Sequence, residues 1–378
     1  MMRRALGWVA GVALLFTILV VLPIPISPNY DFSVLYYSLV SLKQGIPLYA
    51  YAQQVEFLHK ITPPNFEFHP FPYPPWLAVF TYPLVWLPPE PAAKLWAACN
   101  IGMVVGSAWL LTDGWELRKR LTGTVASALF LPAVGLAMVG QYSGLPLLGA
   151  ALMVRGTRKE LPWLTITGML IALMKPHLGG LAILALVFCW GGIGLALRRQ
   201  LVGGFVLALS VIALPSFLVD QGWPLNYPLS LLHYSELDGV ALCSQCASAV
   251  AVVLRNGGLL QYLFPIGLAA FAVMVAVTFW LRKKWRDQFL VALPALLLLG
   301  ILFLPYIQLY DYVLLLPALL LLAGKDLRWL ALSPLSWLAL SAGLLRELTL
   351  PLLALGLLIA LSLKTGPDGT IDQTATPV

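Results

Sequence analysis

An all-α integral membrane protein is the fold class this sequence predicts, and three observations predict it. Of 378 residues, 60% are hydrophobic and 10% charged, with a mean hydropathy of +0.87. A soluble chain carries about a quarter charged residues, so the deficit is more than twofold. Apolar stretches follow one another from end to end, each bounded by charges or by Pro and Gly. Backbone polar groups have no water to bond in hydrocarbon, so a spanning chain of this kind must be a helical bundle. The third observation is the spacing of the basic residues. They fall in short clusters at Arg3-Arg4, Arg118-Lys119-Arg120, Arg155 with Arg158-Lys159, Arg198-Arg199, Arg282-Lys283-Lys284 with Arg286, Lys325 with Arg328, and Lys364. Such clusters mark cytoplasmic loops. The net charge of +7 is spread among them, which gives no basis for a nucleic-acid surface.

Taken in order, Met1-Met2-Arg3-Arg4 opens an apolar run over 5–26. It is long for a signal peptide and lacks a small-x-small site before Pro23-Ile24-Pro25, so it reads as a retained first span, with a cleaved signal as the competing reading. Residues 27–90 form a first outer loop, rich in aromatic and polar groups and carrying interfacial helices. Within it, 76–88 is only about 13 residues, short of the roughly 20 a span needs, and reads as a half-inserted helix. The stretch 92–112 is then the second span, which returns Arg118-Lys119-Arg120 to the inside. Further spans are expected near 122–139, 144–154, 162–174, 178–193, 200–219, 259–281, 288–304, 311–323, 329–344 and 347–363. Residues 220–258 make a second large outer loop. The expectation is therefore about twelve spans in one domain over 1–364, a multi-pass protein of the plasma or inner membrane with both termini cytoplasmic. The polar tail over 365–378 reads as disordered.

Orientation rests on Lys and Arg alone, yet a majority of the sixteen acidic residues come out at the outer side, among them Asp31, Glu56, Glu67, Asp220, Glu236, Asp238 and Asp311. So do all four histidines, His59, His69, His177 and His233. Potentially reactive groups gather on one face.

Several of these groups are candidates for chemistry. Asp31 follows the first span and precedes an amphipathic run over 32–42; it is either a general base in a cavity or a helix N-cap. Gly45-Ile46-Pro47-Leu48-Tyr49 closes that helix, and Tyr73-Pro74-Pro75 opens the next. Lys175-Pro176-His177 interrupts a long apolar stretch, where a charge is costly; it suits a phosphate held at headgroup depth, or else a Lys that snorkels from a hairpin. Gly140-Gln141-Tyr142-Ser143-Gly144 is a polar outer turn, and the run from Pro305 to Tyr312 places Gln308, Tyr310 and Asp311 in another. Aromatic faces beside polar groups suit a sugar, and also suit any interfacial belt. Cys243-Ser244-Gln245-Cys246 either closes a small disulfide or forms a redox or metal pair, for which His233 and Asp238 are the conceivable further ligands; a local structural role is favoured. Cys99 and Cys189 read as packing residues within spans. Phosphate-cradling Gly loops, metalloprotease helices and Ser-centred elbows are all missing from the sequence.

In this order the motifs resemble the polyprenyl-phosphate-dependent membrane glycosyltransferases of the GT-C superfamily, and within it family 87, the α-mannosyltransferase-like group. The resemblance runs over about 1–330 and rests on Asp31, Tyr36-Tyr37, Gly45-Ile46-Pro47-Leu48-Tyr49, Tyr73-Pro74-Pro75, Gly140-Gln141, Met174-Lys175-Pro176-His177, Tyr310-Asp311-Tyr312 and Pro317. It implies inverting transfer of a sugar, mannose first, from a polyprenyl-phosphate donor to a glycolipid or glycan hydroxyl outside the cytoplasm. Asp31 would be the base. Lys175 and His177 would bind the donor phosphate, with Tyr36, Tyr49, Tyr73, Gln141, His233, Gln308, Tyr310 and Asp311 as cavity candidates. No metal or other cofactor is expected, since a cationic side chain can neutralise charge. Two places depart from the family pattern: His177 stands where Gln is common, and Gln308 and Tyr310 occupy a turn that carries His in some relatives. Two other classes remain open, a transporter or flippase of lipid-linked sugar and a non-catalytic partner in glycan assembly. A transporter often shows an internal repeat and mid-membrane charges, and neither is evident here.

Overall fold

A computed structural model describes residues 31–62, 69–234, 243, 245–281, 288–341 and 344–364. The apolar run over 5–26, Glu67, Glu236, Asp238, Ser244, the basic cluster at 282–286 and the tail over 365–378 lie outside the described residues, as does the side chain of His233. Among the described residues every regular element is a helix. In chain order these are α1 (Asp31–Lys43), α2 (Tyr51–Leu58), α3 (Pro75–Thr81), α4 (Pro89–Leu111), α5 (Leu117–Ala128), α6 (Leu131–Val139), α7 (Gly144–Arg158), α8 (Pro162–Ala172) and α9 (Pro176–Phe188). They continue with α10 (Leu195–Ala213), α11 (Ser216–Val219), α12 (Trp223–Tyr234), α13 (Ala249–Asn256), α14 (Leu263–Leu281), α15 (Phe289–Phe303), α16 (Leu316–Ala323), α17 (Leu332–Leu335) and α18 (Leu344–Lys364).

Four helical segments among the described residues are long and apolar enough to cross a membrane: Pro89–Leu111, Leu195–Val219, Leu260–Trp280 and Arg346–Leu363. The pair α5 and α6, bent by 52°, makes a fifth if it counts as one span. Two of these segments sit at the periphery and present apolar side chains outward. On α10, Val202, Val206, Leu207 and Val211 are all more than half exposed, which suits lipid and not water. The opposite case is α15, apolar on all sides and buried along nearly its whole length, so it forms the centre of the bundle.

Where expected helices break, the sequence supplies the reason. The stretch 76–88 is two pieces, α3 and a 3₁₀ turn over Tyr82–Trp86, because Pro83 cannot donate to a continuing helix. The stretch 329–344 is largely 3₁₀, over Leu327–Ala331 and Ser336–Leu340, with only the single turn of α17 between. That irregular segment repairs the bend at 129–130, where Pro132 has no N–H to donate back to the Ala128 carbonyl. The Ser336 hydroxyl accepts from the Leu131 N–H at 3.0 Å, and the Trp337 indole donates to the Leu129 carbonyl at 2.8 Å. Ser333 donates to the Ala126 carbonyl at 2.6 Å. A broken helix at membrane depth is tolerated when neighbours satisfy the freed backbone groups in this way. Cys189 is buried as expected, but Cys99 is exposed on α4.

Small residues set the closest helix contacts. A Cβ on Gly149 would lie 2.5 Å from the Gly168 carbonyl oxygen and one on Gly168 would lie 2.6 Å from that of Gly149, so α7 and α8 approach backbone to backbone. A Cβ on Gly179 would fall 1.9 Å from the Ala172 carbonyl oxygen, so the turn from α8 into α9 closes only around glycine. At the opposite end of these helices, Asp113 pairs with Arg155 at 3.0 Å and with Arg120 at 4.0 Å, and the Arg120 guanidinium lies 3.7 Å from the Trp109 ring centroid. Two of the basic clusters are thereby joined through one carboxylate.

Gly179→Ala is expected to lower stability by at least about 2 kcal/mol, as overpacking does, while Gly180→Ala, which meets nothing within 4 Å, leaves the melting temperature of the purified protein unchanged.

Candidate active site

Three connections at one end of the bundle meet the start of α1: residues 140–143, 173–175 and 304–308. Local sequence shapes each. Gly140 ends α6 in the left-handed conformation with φ of 74°, which glycine adopts without strain. It also lies against α1, since a Cβ there would stand 2.5 Å from that of Phe32. Two side chains of α4 hold the following turn, the Trp96 indole donating to the Gly140 carbonyl at 2.9 Å and the Asn100 amide to the Gln141 carbonyl at 2.8 Å. Gln141 is thereby aimed inward and is 3% exposed.

The Gln141 amide organises the site. Its Oε1 accepts from the Tyr142 N–H at 2.8 Å and from Lys175 Nζ at 3.3 Å, which fixes that end as oxygen. Its Nε2 donates to the Tyr310 phenol at 3.0 Å and to the Tyr73 phenol at 2.9 Å. Both Tyr310 and Gln141 act on the Asp31 carboxyl, each favouring its charged form.

Lys175 precedes Pro176, the first residue of α9, and its side chain is 3% exposed. The ammonium is 2.8 Å from Asp311 Oδ1 and 2.9 Å from Ser143 Oγ, and with the Gln141 contact its three N–H groups are all engaged. Ser143 in turn donates to the same Asp311 oxygen at 2.5 Å. The second Asp311 oxygen accepts from the Gln308 N–H at 2.9 Å, closing a reciprocal cap with the Gln308 side chain at the start of the 3₁₀ turn over Leu309–Leu315. Lys175 Nζ also lies 5.1 Å from the Tyr310 ring centroid.

Asp31 is the first residue of α1 and is partly exposed. Burial of its carboxyl raises the pKa to about 6, against the lowering effect of the Lys175 charge and of the Gln141 and Tyr310 hydrogen bonds; the Asp311 charge adds to the rise. The ion pair of Lys175 is with Asp311, so Asp31 feels the cation without being neutralised by it.

The structure thus brings together Asp31, Tyr73, Gln141, Lys175, Gln308, Tyr310 and Asp311. Three expected members stand apart. Tyr36 donates to the Leu87 carbonyl at 2.8 Å and stacks on Phe32, tying α1 to the end of the 3₁₀ turn. Tyr49 donates to the Tyr73 carbonyl at 2.6 Å, behind the site. His177 is exposed in the first turn of α9; it feels the charges of Lys175 and Asp311 but takes no part in the hydrogen bonds above. Ser143 and Tyr142 are members that the sequence did not single out, although both sit in the polar turn noted there. Tyr142 donates to the Asp31 backbone carbonyl at 3.3 Å.

The model of glycosyltransferase family 87 matches residues 71–307, well over half of the chain. The chain belongs to glycosyltransferase family 87. It is accordingly a membrane glycosyltransferase. Tyr73, Gln141, Ser143 and Lys175 fall inside the matched stretch, and Asp31 and Asp311 flank it. No curated protein and no solved structure matches the chain.

Lys175→Met and Asp311→Asn each leave a buried group without its partner, and each is expected to cost about 3–5 kcal/mol. The double variant Lys175→Met/Asp311→Leu should be less destabilised than either single change, as thermal melting of the purified proteins will show.

Proposed function

We propose that this glycosyltransferase moves a hexose, mannose first among candidates, from a polyprenyl-phosphate sugar to a glycolipid or glycan hydroxyl on the non-cytoplasmic side, with inversion and with Asp31 as general base. The observation that carries the reading is the division of labour between two carboxylates around one cation. Asp311 is consumed by Lys175 and Ser143, while Asp31 remains ionisable near neutral pH at a partly exposed position. Pairs of titratable groups driven apart by their surroundings are a mark of acid–base assignment.

In this reaction the acceptor O–H gives its proton to Asp31 as its oxygen attacks the anomeric carbon. The bond from that carbon to the donor phosphate oxygen breaks, and the polyprenyl phosphate departs with one more negative charge than it carried as a diester. Stabilising that charge is the electrostatic part of the work. The Lys175 cation stands in the same cluster, but its donors are spent, so it acts through its field unless the 3.3 Å contact to Gln141, the longest of the three, is released to the phosphate. Exposed His177, two positions on, would add a hydrogen bond to the phosphate in this reading. The reading invokes no metal, because the cation is supplied by the chain. It takes the shorter apolar helices, with the N-terminal run, as completing about twelve spans around a lateral opening for the lipid.

Purified protein given radiolabelled polyprenyl-phosphate-mannose and a panel of glycolipid acceptors tests this. Asp31→Asn is expected to reduce transfer at least 100-fold, within the range a general base supplies. Since only ionised Asp31 accepts a proton and its pKa is raised to about 6, the rate should fall about tenfold per unit below pH 6. Transfer that survives Asp31→Asn would refute the base, and labelled lipid that crosses vesicles without any transfer would favour a transporter.

A further inference from the structure

One motif lies outside the proposed chemistry: Cys243 and Cys246 form a disulfide. The loop they close does not hang free. Arg255 of α13 donates to the Cys246 carbonyl, and Ser248 caps α13 by accepting from the Ala251 N–H at 3.2 Å. Arg255 also pairs with Glu347 of α18 at 3.8 Å, and Asn256 donates to Glu347 at 3.1 Å. On this side the loop is anchored to two helices.

Its other side grips the turn that carries the site. The Ala247 N–H donates to the Ile307 carbonyl at 2.6 Å, and the Tyr312 phenol donates to the Ala247 carbonyl at 2.5 Å. These two bonds bracket Gln308, Tyr310 and Asp311. Tyr306, just before them, packs on the cluster formed by Cys243, Cys246, Ala251, Leu254 and Leu263. Its φ of 61° is a left-handed conformation that a bulky residue holds only when its surroundings impose it. A strained turn therefore carries Asp311 to within 2.8 Å of Lys175, and the disulfide loop is what it leans on.

We propose that the Cys243–Cys246 loop is a positioning element for this glycosyltransferase: it braces residues 306–312 so that Asp311 and Tyr310 hold Lys175, Gln141 and Asp31 in place, and reduction of the disulfide disables transfer by releasing that turn. The role of the turn in transfer rests on the function proposed above. A two-electron, two-proton reduction by dithiothreitol yields two thiols and the cyclic oxidised reagent. The other two cysteines, Cys99 and Cys189, are already thiols, so the reagent acts at this one bond.

The experiment compares the full-length folded protein before and after dithiothreitol, together with Cys243→Ser/Cys246→Ser and Tyr312→Phe. Hydrogen exchange at the amides of Ala247, Gln308 and Asp311 is expected to quicken at least tenfold on reduction. With polyprenyl-phosphate-mannose, kcat should fall about tenfold while KM stays within twofold. Tyr312→Phe should lower kcat similarly in the oxidised protein, and reduction should then add less than a further twofold, because both changes cut one brace. Unchanged exchange overturns the brace. Faster exchange with unchanged kcat, a rise in KM alone, or multiplying losses in Tyr312→Phe overturns the positioning role. Oxidised wild type that transfers nothing refutes the proposed function, and the exchange result still decides the brace.

Discussion

Lys175 and Asp311 form an ion pair almost wholly withdrawn from solvent, joined across 136 positions of sequence. Desolvating two charges is costly, and the cost is met only when every remaining donor and acceptor is also satisfied. The rest of the site reads as the consequence. Ser143 and Gln141 complete the ammonium, the Gln308 N–H completes the carboxylate, and Tyr73 and Tyr310 complete the amide. Ser143 and Gln141 come from one connection between helices and Gln308 and Tyr310 from the turn that carries Asp311, so with Lys175 the pair locks three turns to one another. Asp31 inherits its properties from this arrangement: it is close enough to the cation to feel it and too well fenced by the pair to be neutralised.

The positioning of the turns depends in turn on how the helices can pack. Glycine at 149, 168 and 179 lets α7, α8 and α9 close up until Lys175 is delivered to the centre of the bundle end. Bent and 3₁₀ segments, which would be costly in lipid, are supported by Ser333, Ser336 and Trp337 from a neighbouring segment. Rigid apolar helices with irregular, mutually bonded connections at one end are the scaffold on which a charged site can be kept in an apolar protein.

Much of this was legible in the sequence. Composition gave the helical membrane class, and the charge in Lys175-Pro176-His177 stood out because an apolar stretch has no other reason to hold it. Asp31, Gln141, Tyr310 and Asp311 were visible as polar groups in turns assigned to one face. What periodicity and composition do not encode is pairing at long range. Nothing in the local sequence says that Asp311, not Asp31, takes the lysine, that Ser143 bridges the pair, or that His177 stays outside the hydrogen-bonded cluster. Tyr36 and Tyr49 were cavity candidates through the family resemblance, yet their hydroxyls are spent on the backbone carbonyls of Leu87 and Tyr73. Helix breaks were misjudged for a related reason: Pro132 announces an interruption, but the partners that stabilise it are about two hundred residues away.

The account stands or falls on an Asp31 carboxyl that stays ionisable beside a lysine already claimed by Asp311. Infrared difference spectra of wild type minus Asp31→Asn, recorded across the pH range, read that carboxyl directly and without any substrate. The account predicts a protonated-carboxyl band that disappears with a midpoint at about pH 6. A midpoint at the ordinary aspartate value near 4 would show that Asp31 lies in solvent or pairs with Lys175 itself, and would contradict the division between the two carboxylates.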